Sequence, residues 1–74
     1  MERTWLVEYI FTLVYDEYGN DTIDDGGEVF LTCKKEDIKK ELRNYLKHNY
    51  VDFSEEVRRI KNIKIESILD IKDF

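Results

Sequence analysis

The chain has 74 residues and a mass of 9.0 kDa, with 17 acidic and 12 basic side chains and a net charge of −5. That length holds one domain, expected over 1–74, and is too short for most enzyme scaffolds with an enclosed pocket. At 42% hydrophobic and 14% aromatic residues the composition excludes a disordered tail; a single cysteine, Cys33, excludes an internal disulfide framework; and no apolar run nears the ~20 residues of a membrane helix.

Thr4 to Tyr15 alternates with period two. Its odd positions, Trp5, Val7, Tyr9, Phe11, Leu13 and Tyr15, are all apolar or aromatic, whereas the even positions are mixed. That pattern predicts a long strand with a buried odd face and a half-apolar even face. Glu28 to Lys34 reads as a second strand. Between them lie all three glycines, Gly19, Gly26 and Gly27, so the two strands are expected to form an antiparallel hairpin with a long, mobile loop.

Lys35 to Tyr50 has helical periodicity, with Ile38, Leu42, Tyr45, Leu46 and Asn49 on one stripe. Glu36 and Asp37 near its start, and Lys47 and His48 near its end, suit the helix dipole, but Lys34 and Lys35 make a weak N-cap. Ser54 could cap a short helical turn before a third strand, expected over Asn62 to Lys72. In that strand Ile63, Ile65, Leu69 and Ile71 share one parity and Ile68 breaks it, which predicts a bulge near Ser67.

The order β-β-α-β predicts an α+β domain, with one helix on one face of a three-stranded antiparallel sheet. A right-handed crossover gives the strand order 2-1-3. With no second helical layer, Leu6, Ile10 and Val14 should lie on the open face, beside Phe30 and Ile68. They form a candidate self-association surface for a homodimer.

The most specific feature is charge segregation. Asp16 to Glu28 holds six acids, Asp16, Glu17, Asp21, Asp24, Asp25 and Glu28, and no base. With Tyr18 as an aromatic anchor, this segment is a candidate loop for meeting a basic, nucleic-acid-binding surface on another protein. It does not fit an EF-hand: with Gly26 as the central glycine, Ile23 and Thr32 fall where acidic ligands are needed. The opposite pole is basic. Lys35, Lys39, Arg43 and Lys47 are four apart on the helix, and Arg58, Arg59, Lys61 and Lys64 follow it. They offer an alternative, a small nucleic-acid-binding module.

No catalytic constellation is visible. His48 is the only histidine, Cys33 has core parity, and Gly26-Gly27 lacks a phosphate-binding pattern. The sequence therefore predicts a non-enzyme with no cofactor and no metal. Glu2 and Arg3 do not read as a signal peptide, so the expected location is the cytoplasm.

The segments WLVEYIFTLVYD, KKEDIKKELRNYL and IKNIKIESILDI, with the acidic Gly-containing hairpin between the first two, resemble small β-β-α-β proteins of phages and mobile elements. That group includes anti-CRISPR-type inhibitors that imitate nucleic acid. The resemblance implies an inhibitor of a host defence or nucleic-acid-handling protein, acting in the host cytoplasm. It assigns no residue roles.

Overall fold

The computed structural model describes residues 2–52 and 55–71. Three long strands, β1 (Arg3–Val14), β2 (Thr22–Cys33) and β3 (Arg59–Ile71), form an antiparallel sheet in the order β2-β1-β3. The helix α1 (Ile38–Leu46) lies between β2 and β3 in the chain. This is the α+β, β-β-α-β arrangement expected from the sequence. Strands of 12 and 13 residues, rising about 3.4 Å per residue, account for a molecule 43 Å long and 20 Å across.

β1 is the central strand, and its odd face is apolar or aromatic from Trp5 to Leu13. Its odd residues Trp5, Val7, Tyr9, Phe11 and Leu13 are all buried, and the core closes over them with Cys33, Ile38, Leu42, Leu46 and Val57. Ile38, Leu42 and Leu46 recur every four residues, so they fall on one face of α1 and point it at the sheet. Trp5 uses its indole N–H as well as its ring: Nε1 donates to the carbonyl of Cys33 at 2.9 Å, tying β1 to the end of β2. Phe11 packs against Tyr50, with ring centroids 5.0 Å apart.

The helical segment is less regular than its periodicity implies. Lys35–Asp37 is a tight 3₁₀ turn and Lys47–Asp52 a wide π turn, so the α-helix proper is only nine residues. Neither Lys34 nor Asp37 makes a side-chain capping bond, in line with the weak N-cap. At the other end Asn49 Nδ2 donates to the Tyr45 carbonyl at 2.7 Å, within the widened turn. Of the short turn expected after Ser54, Ser54 itself lies outside the described residues; Glu55 and Glu56 form a bend and Val57 drops into the core.

Two strand boundaries differ from expectation. β2 begins at Thr22, not Glu28, because Thr22 to Gly27 pair residue by residue with Val14 to Tyr9. The expected long loop therefore shrinks to the connection 15–21. This connection is tied down rather than loose: the Tyr15 N–H donates to the Asp21 carbonyl at 2.8 Å, and Asp16 Oδ1 accepts from the N–H groups of Asn20 and Asp21. Gly19 supplies the positive φ of 75° that the tight tip requires. β3 begins at Arg59, and it carries two irregularities. Glu66 is an extra residue between Ser67, opposite Glu8, and Ile65, opposite Tyr9. A second shift leaves Asn62, with φ 55°, and Ile63 together opposite Phe11. The first is the expected bulge beside Ser67. It reverses the expected placement of Ile68, which lies opposite Val7 on the helix side, while Leu69 lies opposite Leu6 on the open face.

Candidate functional site

The acidic residues occupy three different places. Asp16, Glu17 and Tyr18 form the hairpin tip, where Tyr18 is 83% exposed, and Asp21 closes it. On β2 the period-two alternation separates the others. Asp24 lies on the open face, opposite Thr12, and accepts from its Oγ1 at 2.7 Å. Glu28 lies on the same face opposite Glu8, a like-charge cross-strand pair. Asp25 is opposite Phe11, on the helix side, where its Oδ1 accepts from the Gly26 N–H. The six acids therefore share an end and an edge of the sheet, not one face.

Two of them also hold the hairpin. The backbone N–H groups of Asp21, Asn20 and Gly19 hold the Asp16 carboxyl below the ordinary carboxylate range, the bond from Asp21 being the largest influence. Asp24 satisfies Thr12, which is otherwise buried. Glu17 stands 3.7 Å from the Arg58 guanidinium across exposed surface, a contact of little energetic weight. Among the described residues, no group of three or more His, Cys, Asp or Glu side chains could hold a metal ion.

The open face divides the proposed self-association residues. Ile10 is 43% exposed and Leu6 half-buried. Val14 is fully buried although its parity puts it on this face. At this corner Arg59, the β3 neighbour of Val14, and Lys61 reach to Gly19, where an added Cβ would lie 3.4 Å from Arg59 Nη2. Val14 is thus unavailable to a partner. Leu6 is instead flanked by exposed Phe30 and Leu69.

Arg43 and Lys47, two members of the helical basic row, meet Arg58 and Arg59 around a groove of about 230 Å³ floored by Val51, Ile60 and Ile63. The groove continues along β3 past Lys39 and Lys61. Among the described residues, no acid lines either part. Sequence reasoning missed this groove. Its four bases, Arg43, Lys47, Arg58 and Arg59, are all in the basic pole that the sequence shows, but their meeting around one groove depends on how α1 crosses the sheet.

The remaining polar chemistry is muted. Cys33 is buried at the end of β2, and burial, then the nearby charges of Glu41, Asp37 and Glu2, push its thiol up, away from nucleophilic use. His48 is exposed in the π turn that follows α1. Tyr9 is buried beneath the helix, and its phenol is pushed up to about 12 by burial first, then by Tyr45, Tyr50 and Asp25. A phenol raised in the fold favours the neutral form. Its contribution to stability is complete below the ordinary value of 10.0 and is lost as pH rises toward 12. Alkaline unfolding followed by ultraviolet difference absorbance should therefore set in between pH 10 and about 12. Tyr9→Phe should remove much of that pH dependence, and a variant with the wild-type alkaline profile would contradict it.

Comparison with family models, curated proteins and solved structures finds no match to this chain.

Proposed function

We propose that this protein is a non-enzymatic inhibitor, encoded by a phage or mobile element, whose acidic hairpin end blocks a basic, nucleic-acid-binding surface of a host protein in the cytoplasm. The observation that carries the reading is the placement of the acids on a sheet edge. Every residue from Thr22 to Glu28 is exposed, and β2 has a strand neighbour on one side only. An edge strand presents outward backbone N–H and C=O groups. Asp21, Asp24, Asp25 and Glu28 add negative charge beside them, and the tip adds Asp16, Glu17 and Tyr18. A basic partner surface is thereby offered charge complementarity, an edge for strand addition and an aromatic anchor at one end of the molecule.

The test is capture from a nuclease-treated host lysate, followed by affinity measurement against the purified partner. The variant combines Asp21→Asn, Asp25→Asn and Glu28→Gln, leaving Asp16 and Asp24 to hold the turn and Thr12. Its affinity should fall by about tenfold or more and lose most of its salt dependence. Unchanged affinity in the folded variant would sink the acidic-edge reading.

A further inference from the structure

The tip and the basic groove are complementary to one another. The tip carries Asp16, Glu17 and Asp21 around an aromatic ring that nothing covers: Tyr18 is 83% exposed. The groove carries Arg43, Lys47, Arg58 and Arg59 around an apolar floor, with no acid among its described lining residues. A large apolar side chain flanked by carboxylates is the chemistry that such a groove selects, since the floor takes the ring and the walls take the charges. In a chain of net charge −5, four bases gathered around one groove, with only a weak exposed Glu17 contact at Arg58, call for an anionic occupant.

We infer that the occupant is the hairpin tip of a second copy of this chain, and that two copies exchange tips about a twofold axis. Within one molecule the two features already adjoin. Glu17 lies 3.7 Å from Arg58, and Gly19 lies next to Arg59. The short connection 15–21, closed by the Tyr15–Asp21 and Asp16–Asn20 bonds, keeps Tyr18 pointing outward. Because each tip sits at the mouth of its own groove, an axis through that end brings each tip to the other groove in one isologous contact, which closes as a dimer. The alternative of single-stranded nucleic acid is less well served, because the described lining residues include no aromatic to stack a base. The dimer differs from one formed through Leu6 and Ile10, and it stands whether or not a foreign partner exists. It covers the same tip that the proposed function uses, so where both hold, self-association competes with partner binding.

The experiment is sedimentation of the purified protein across a concentration series, with charge reversal and rescue. Glu17→Lys with Asp21→Lys makes a basic tip; Arg43→Glu with Lys47→Glu makes an acidic groove. All four positions are exposed, so both variants should keep the wild-type circular dichroism. Each alone should be monomeric, with self-association weakened by about tenfold or more. Mixed one to one, they should dimerise again, because both tip-groove contacts of the mixed pair regain opposite charges. Tyr18→Ala should weaken the wild-type dimer, and high salt should do the same. A wild-type protein that stays monomeric, or a mixture that fails to reassociate, overturns the inference. So does a dimer lost on Leu6→Lys but indifferent to both charge reversals, which would move the interface to the open face. An oligonucleotide that binds the groove while no dimer forms would assign the groove to phosphates instead. Because no partner enters this experiment, its failure leaves the proposed function standing, and failure to capture a host protein leaves the dimer standing.

Discussion

Leu42→Ala should be among the most destabilising single truncations in this chain. Leu42 is completely buried, and only three residues of α1, Ile38, Leu42 and Leu46, are buried against the sheet. A nine-residue helix has almost no stability of its own, so its packing face must supply what propensity cannot. Truncating a buried leucine costs about 2–5 kcal/mol, from lost transfer energy and the cavity left behind. A chain of this size has a total stability of roughly 4–11 kcal/mol at the usual per-residue range. The substitution therefore takes a major share of the total, and the melting temperature should fall by more than about 10 °C. Circular dichroism melts of Leu42→Ala beside Lys39→Ala, an exposed change in the same helix, provide the check. The lysine variant should stay within about 0.5 kcal/mol of wild type. A leucine variant equally close would mean that α1 does not close the core.

The strength of that expectation reflects which parts of the fold the sequence made legible. Trp5 to Leu13 alternates without exception on its odd positions, and all five of those residues are buried. Ile38, Leu42 and Leu46 fix the helix face in the same way. With one helix between the second and third strands, handedness leaves the order β2-β1-β3, as observed. What was illegible depended on pairing partners. Asp24-Asp25-Gly26-Gly27 reads as a turn by local propensity. It is a strand because residues 9–12 of β1 extend far enough to pair with it. Glu66 reverses the parity of everything after it, so Leu69 and Ile68 exchange faces. Val14 has the parity of an open-face residue yet is fully buried, which no periodicity encodes. The acids were recognised as a group from composition alone. Their division between the tip and the two faces of β2 follows from where that strand begins.

That boundary can be tested at Gly26. In the observed register Gly26 sits opposite Ile10, and a Cβ built there would lie 2.7 Å from the Tyr9 carbonyl oxygen and 3.1 Å from Ile10 Cγ2. Two effects oppose one another. Replacing glycine in a strand removes its excess chain entropy, which favours alanine by about 0.5–1 kcal/mol. The added methyl, however, meets a backbone oxygen of the central strand, which cannot swing aside as a side chain can. Overpacking of this kind typically costs about 1–3 kcal/mol. The clash should win, so Gly26→Ala should destabilise the protein in urea unfolding. Gly27→Ala is the matched control. Its nearest neighbour is the Tyr9 hydroxyl at 3.2 Å, the far end of a side chain, so its cost should be smaller and should appear together with a change in the ionisation of Tyr9. Should Gly26→Ala instead be neutral or stabilising, Asp24 to Glu28 cannot be held against β1 as a paired edge. The acidic segment would then act as a loop, and a partner would meet mobile carboxylates in place of a preformed strand.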